Sequence, residues 1–337
     1  MNRETEQLYR SLLFYYDLYL ERVEDYGKIK KVSTNRGEYA LKESTMSPVQ
    51  ADEFIQALRK LTKMGYKQAV PILPTKYGEY TITTQSHTYY LMPWVEQFDY
   101  LGRESQEEKL ANQLGIIHRM TVNVQPFSKD QVEQSYQQLL LQWERKQLEL
   151  NRFADQAERK TYMSPFELTF LTHSHMLQQM AESAKNHLQA WYNTCVDKEK
   201  YRSVLCHGKL SRKHAVFTGE HEPLILNFER ACLDTPARDI ASFCRLSFPY
   251  AYWSEEEVLR WFMRYESHLP LLNEEKQLLC GYLNFPDPVV FAVESYVNNR
   301  KTMSELQHVQ RLEKRLMTLR RVQRLTQKLI AQETEQS

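Results

Sequence analysis

Residues 205–217, LCHGKLSRKHAVF, followed by TGEHEP (218–223) and LILNFERACLDTPARDIASF (224–243), form the stretch that decides the fold. Val204–Leu205–Cys206 and Ala215–Val216–Phe217 are short apolar runs on either side of a polar segment, and Leu224–Ile225–Leu226 is a third run. The spacing predicts a hairpin turn over Gly219–Pro223 between the last two. Residues 207–214 then form a loop held open by a small sheet. Asn227 and Glu229 emerge where the third strand ends, and Asp239 opens a helix through Ile240–Ala241–Ser242–Phe243.

Upstream, the pattern predicts a helix over 3–16 and then strands over Leu18–Val23 and Ile29–Ser33. Thr34–Asn35–Arg36–Gly37 is a hairpin turn leading into Tyr39–Ala40–Leu41–Lys42. Ser47–Pro48–Val49–Gln50 starts a helix: Ser caps it, Pro takes its first position and Gln completes a capping box. Phe54, Leu58 and Leu61 point inward from that helix, and Glu53 stands one position off the stripe. A meander of 69–73, 80–82 and 88–92 completes a five-stranded sheet, with Met92–Pro93–Trp94–Val95 as a hinge.

After residue 94 the periodicity becomes helical. Residues 104–120 carry Leu110, Leu114, Ile117 and Met120 at helical spacing, and His118 reads as a packed helix-end residue. Residues 129–194 are a helical insertion with Trp143, Leu148, Phe153, Phe166, Phe170, Met176 and Trp191 as its core. His173 and His175, two apart on a helix, do not face one another and carry no metal reading. The last helical stretch, 300–330, combines an apolar stripe from Leu306 to Leu329 with Arg300, Lys301, Arg311, Lys314, Arg315, Arg320, Arg321, Arg324 and Lys328. It reads as a packed helix with a solvated basic face, or as a docking surface for an acidic partner. No aromatics interleave its charges, so nucleic acid is not the expected partner.

Composition bounds the function. With 337 residues and 42 % hydrophobic content the chain can bury a large core. Its net charge of +1 gives no overall pull toward nucleic acid or an anionic membrane. The absence of an 18-residue apolar run excludes membrane insertion by a helix, and MNRETEQLYRSLL lacks the apolar core of a signal peptide, so a cytoplasmic site of synthesis is expected. Five cysteines without CxxC spacing predict neither a disulfide framework nor a zinc site. Nine glycines are too few for a glycine-rich nucleotide loop, whereas 21 tyrosines are many, for packing or as cross-linkable phenols.

The 205–243 stretch resembles the phosphotransferase core of aminoglycoside phosphotransferases, choline kinases and protein kinases: H-G-D-x-x-x-x-N, a hydrophobic strand, D-F-D/E and a downstream Asp. His207 and Gly208 match that pattern, and Asp239 matches its structural, helix-opening Asp. Lys209 stands where the resemblance implies the catalytic Asp, His214 where it implies the metal-binding Asn, and Asn227 where it implies the magnesium carboxylate; Glu229 keeps its charge. Phosphoryl transfer needs a carboxylate to receive the hydroxyl proton and oxygens to hold magnesium. A lysine with an ordinary pKa of about 10.4 accepts no proton near neutrality, and His214 and Asn227 are poor magnesium ligands. Lys42 resembles the lysine of the kinase V-A-I-K strand that contacts nucleotide phosphates, and Glu53 its helix glutamate partner.

Taken with LPTKYGEYTI, HTYYLMPWVE and LANQLGIIHRM, the order of motifs resembles the CotS family of spore-coat-associated, aminoglycoside-phosphotransferase-like proteins, over residues 20–325. The resemblance implies an α+β, two-lobed, protein-kinase-like fold. Its lobes would be a small antiparallel-sheet N-lobe over 1–94 and a large, mainly helical C-lobe over 95–337, the latter holding a degenerate catalytic loop at 205–240. It also implies synthesis in the mother cell, a place in the spore coat, and other coat proteins as partners. For an active member, ATP and magnesium are the implied cofactors, with Lys42, Glu53 and Glu229 as cofactor-binding residues and Glu229 as the metal ligand. Three readings follow: a catalytically degenerate coat component, an active small-molecule phosphotransferase with atypical residues, and a pseudokinase that binds nucleotide without turnover.

Overall fold

In chain order, the computed structural model comprises α1 (Arg3–Phe14), β1 (Leu20–Tyr26), β2 (Ile29–Thr34), β3 (Gly37–Ser44), α2 (Pro48–Lys63), β4 (Ile82–Thr83), β5 (Thr88–Pro93) and α3 (Gln106–Thr121). There follow β6 (Asn123–Pro126), α4 (Lys129–Glu158), α5 (Pro165–Cys195), β7 (Lys200–Cys206), β8 (Ala215–Val216), β9 (Leu224–Ile225), β10 (Cys232–Asp234) and α6 (Pro236–Ser247). The chain ends with α7 (Glu255–Glu266), α8 (Asn273–Asn284), α9 (Asp287–Asn298) and α10 (Glu305–Thr334). The structure describes residues 3–218, 222–249, 253–299 and 302–334. The turn expected over Gly219–Pro223 therefore falls in part outside the described residues, as do Arg300 and Lys301. Two compact units result: Met1–Gln113 with Leu205–Leu233, and Leu114–Val204 with Asp234–Ser337.

In the first unit a five-stranded antiparallel sheet has the order β1-β2-β3-β5-β4. The hairpin at Thr34–Gly37 forms as its turn residues require, with the Thr34 hydroxyl donating to the Gly37 carbonyl. On one face α1 lays Tyr9, Leu12 and Leu13 over Val32, Leu41, Tyr89 and Leu91. The other face takes α2, whose Phe54 ring meets Tyr90 at 5.2 Å. The α2 start is the expected capping box: the Gln50 N–H donates to Ser47 Oγ and the Gln50 side chain accepts from the Ser47 N–H.

Segment 69–73 is not a strand of this sheet. Pro71 has no N–H to donate and so breaks any ladder. Only single bridges remain, Ala69 to Ile225 and Leu73 to Leu91.

The second unit is mainly helical among the described residues, and in it β6 pairs antiparallel with β7. Its core joins Phe153 of α4, Phe166 and Phe170 of α5, Val289, Val293 and Tyr296 of α9, and Leu312, Leu316 and Leu319 of α10. Phe166 and Tyr296 stack at 4.0 Å between centroids. Leu148 and Leu306 are exceptions to the sequence reading, since both are exposed.

Much of the basic face of α10 is used within its own unit. Arg315 donates to the Pro288 carbonyl and Arg321 to that of Trp253, while Arg324 pairs with Glu255 and Lys328 with Glu256. No described helix is long and apolar enough to cross a membrane.

Replacing Phe166 with alanine removes the centre of this core and is expected to cost about 3–5 kcal/mol of stability, read as a fall in the urea midpoint.

Candidate functional site

The polar loop closes as its flanking apolar runs require. β8 and β9 pair in the register Ala215 with Ile225 and Val216 with Leu224, and the Leu226 N–H donates to the His214 carbonyl at 2.9 Å. Residues 207–214 are thus held open at their base. Arg212 anchors the far side through a two-pronged pairing of its guanidinium with both oxygens of Glu107, a carboxylate fully buried at the start of α3. Glu222, just before β9, accepts from Lys109 at 2.8 Å and from Gln113 at 2.7 Å, and Tyr66 donates to Gln113 at 2.8 Å.

Within the loop, hydrogen bonds assign the histidine tautomers. His207 is fully buried; its Nε2–H donates to the Leu226 carbonyl at 2.9 Å and its Nδ1 accepts the Lys209 N–H at 3.3 Å. His207 therefore ties the start of the loop to the strand end opposite, and its ring lies 4.7 Å from that of Phe228. Gly208 follows with φ +77, and a Cβ there would sit 2.5 Å from the Arg230 carbonyl oxygen. Only glycine meets both demands.

His214 donates from Nδ1 to the Lys209 carbonyl at 2.5 Å, which leaves its lone pair on Nε2. Burial, with the nearby charges of Lys209 and Lys42, lowers its pKa to about 4. The imidazole is neutral at pH 7.

Opposite the loop, cross-strand pairing of β3 with β5 sets Lys42 beside Tyr90. The Tyr90 hydroxyl donates to Glu229 Oε1 at 2.8 Å, and burial together with that carboxylate pushes the phenol well above its ordinary pKa, so it stays a donor. Lys42 is lowered mainly by burial, against the pull of Glu229, and the cations Lys28 and Lys209 lower it further. Asn227 has a left-handed backbone, φ 65 and ψ 50, and its Oδ1 is buried without a hydrogen-bond partner.

The structure thus brings Lys42, Lys209, His207, His214, Asn227 and Glu229 into one unit. It does not bring Glu53 to Lys42. Glu53 is exposed on α2, turned away from the Phe54 stripe, and the carboxylate that bears on Lys42 is Glu229. Asp239 belongs to the second unit, where it is buried in the first turn of α6 and accepts from His118 Nε2 at 3.1 Å, with Tyr265 on the other ring nitrogen at 2.8 Å. Both side chains are buried there. Sequence reading missed Lys28, and it missed Tyr90 and the Arg212–Glu107 anchor because each of these acts through a partner remote in the chain.

The donor set does not suit magnesium. The amide of Asn227 and the imidazole of His214 are neutral, Glu229 is already engaged by Tyr90, and the lysines place positive charge where a cation would have to bind. What the arrangement favours electrostatically is an anion.

The sequence matches, over residues 9–329, the family described as "Spore coat putative kinase YutH". No curated protein matches it. Among solved structures it is similar to an aminoglycoside phosphotransferase from Alicyclobacillus acidocaldarius, at 19 % identity over 95 % of this chain and 94 % of that one, with a TM-score of 0.76. A spectinomycin phosphotransferase, APH(9)-Ia, in complex with ADP and spectinomycin is similar at 14 % identity, over 94 % of this chain and 98 % of that one, with a TM-score of 0.65. The microcompartment-associated aminopropanol kinase is similar at 11 % identity, over 95 % and 97 %, with a TM-score of 0.60. At such identities the likeness establishes the fold: kinase-like, of the aminoglycoside phosphotransferase type, with an antiparallel sheet in the N-terminal part and helices in the C-terminal part.

Two outcomes test the loop geometry. Gly208→Ala and Gly78→Ala both force an L residue to positive φ, but only the first meets a neighbour, because around Gly78 nothing lies within 4 Å. Gly208→Ala is expected to cost about 2 kcal/mol more than Gly78→Ala, an overpacking penalty, in paired denaturation curves.

The second outcome concerns pH. The folded-state pKa of His214, about 4, lies below the ordinary value of about 6.5. Its contribution to stability is therefore complete above pH 6.5 and is lost as pH falls toward 4. His214→Gln should flatten that part of the stability profile, measured as urea midpoints at pH 7.5 and pH 5.

Proposed function

We propose a function for a chain that belongs to the YutH family of spore coat proteins and has a kinase-like fold: it serves the coat as a structural or assembly component that no longer transfers phosphoryl groups. Family membership implies association with the spore coat. Synthesis in the mother cell, followed by incorporation into the coat among other coat proteins, is part of the proposal. On α10, Arg311, Lys314 and Arg320 remain exposed for such a partner to meet.

One observation carries the loss of catalysis. Glu229 is held by the Tyr90 hydroxyl and acts on Lys42, while the position that would receive a substrate proton is Lys209. A protonated amine there cannot act as the base, and a carboxylate so engaged must give up its partners to hold a metal. The neighbours of similar fold are named as phosphotransferases and kinases. Their likeness brings the fold to this chain, and the exchanges at Lys209, His214 and Asn227 argue against bringing the reaction with it.

A second reading is favoured by the charge around Lys42. Lys28 and Lys209 both act on Lys42, with Glu229 as the carboxylate that acts against them. Such a centre supports binding of a nucleotide's phosphates by lysines alone, in place of magnesium.

Calorimetric titration with ATP, in magnesium and separately in EDTA, with γ-phosphate transfer followed in parallel, distinguishes these. The degenerate component is expected to show no transfer to water or to added hydroxyl compounds, and no binding strengthened by magnesium. Equal binding in magnesium and EDTA, abolished by Lys42→Ala, would establish the second reading. Magnesium-dependent binding with turnover would overturn both.

A further inference from the structure

The first unit holds a cavity of about 420 Å³ whose lining includes none of the site residues described above. It lies between the second half of α2 and the strip 69–72. Ile55 and Leu58 of the helix, Val70 and Ile72 of the strip, and the Tyr80 ring give it an apolar lining. Its volume falls within the range of sites that hold ligands.

Two cations, Arg59 and Lys63, join that lining. They are four residues apart on α2 and so share one face of the helix, about one turn from each other. The Arg59 guanidinium lies 4.9 Å from the centre of the Tyr80 ring. Neither cation has a carboxylate partner among the described residues, and no acidic residue lines the cavity. Three other lysines of this unit are paired, Lys30 with Asp25, Lys31 with Glu38 and Lys76 with Asp17.

The floor is backbone that the sheet has not absorbed. The Val70 N–H donates to the Ile225 carbonyl, and Pro71 has no N–H. The strip that the proline keeps out of the sheet leaves Ile72 half-buried and Val70 buried.

We propose that this cavity is a docking site for an acidic peptide segment of a partner protein, which inserts an apolar side chain between Leu58 and Ile72 and sets flanking carboxylates against Arg59 and Lys63. Charge complementarity selects this occupant. An apolar floor alone would accept any greasy side chain, but two unpaired cations one helical turn apart reward an anchor with acids on either side of it. The site is independent of Lys42 and Lys209, so it stands whether or not the kinase-like loop binds nucleotide.

The test is selection of displayed random heptapeptides on the full-length protein, with selected peptides then synthesised and their affinities measured by fluorescence anisotropy. Expected are sequences that place Asp or Glu within two residues of Leu, Ile or Phe. Their affinity should fall roughly tenfold or more for Arg59→Glu with Lys63→Glu, as for loss of charge-assisted contacts, and should also fall for Leu58→Arg. Because Arg59 and Lys63 are exposed, the double variant should keep the wild-type melting temperature. Should it not, Arg59→Gln with Lys63→Gln gives the same reading with less charge change. Enriched peptides without acidic residues, unchanged affinity for the double variants, or no enrichment would each overturn the proposal.

Discussion

A half-buried carboxylate must find compensation nearby, and in this chain the compensation of Glu229 organises the sheet and the loop together. Tyr90 and Lys42 are cross-strand neighbours, so pairing of β3 with β5 delivers a hydroxyl and an ammonium to the same place. Glu229 comes to them on the short turn after β9, which packs against α2. Removing the Tyr90 hydroxyl would leave charge in a setting that penalises it. The sheet register, the α2 position and the conformation at Asn227 therefore share one electrostatic condition. Glu229 is thus hydrogen-bonded within the protein itself, with the Tyr90 hydroxyl as donor.

How much of this could be read from the residues depended on distance along the chain. The hairpin at Thr34–Gly37, the capping box at Ser47–Gln50 and the paired apolar runs around 207–214 are local, and each formed as its residues dictate. Tyr90 meets Glu229 across 139 residues, and Arg212 meets Glu107 across 105. No periodicity encodes such a meeting. Glu53 shows the converse error: a family pattern gave Lys42 a partner, whereas the Phe54 stripe turned that carboxylate to solvent. The strip 69–73 has the composition of a strand, yet one proline withheld it from the sheet.

In the second unit the same economy of charge appears on α10. Its many cations suggest a free basic face, but Arg315, Arg321, Arg324 and Lys328 are drawn back onto carbonyls and carboxylates of neighbouring elements. Counting charge in a sequence overstates what a surface offers when the helix also carries an apolar stripe, since the flanking long side chains lie over the same neighbours.

Asn227 has an evolutionary consequence. At φ 65 the backbone admits few side chains cheaply, glycine first and then asparagine or aspartate. A position so constrained can exchange an amide for an acid and keep its turn. His214 is different, because its ring is half-buried, bonded through Nδ1 and held neutral by its surroundings. The two positions thus differ in what holds them: at 227 the backbone turn, which aspartate would fit as well, and at 214 the imidazole itself, through its bond to the Lys209 carbonyl.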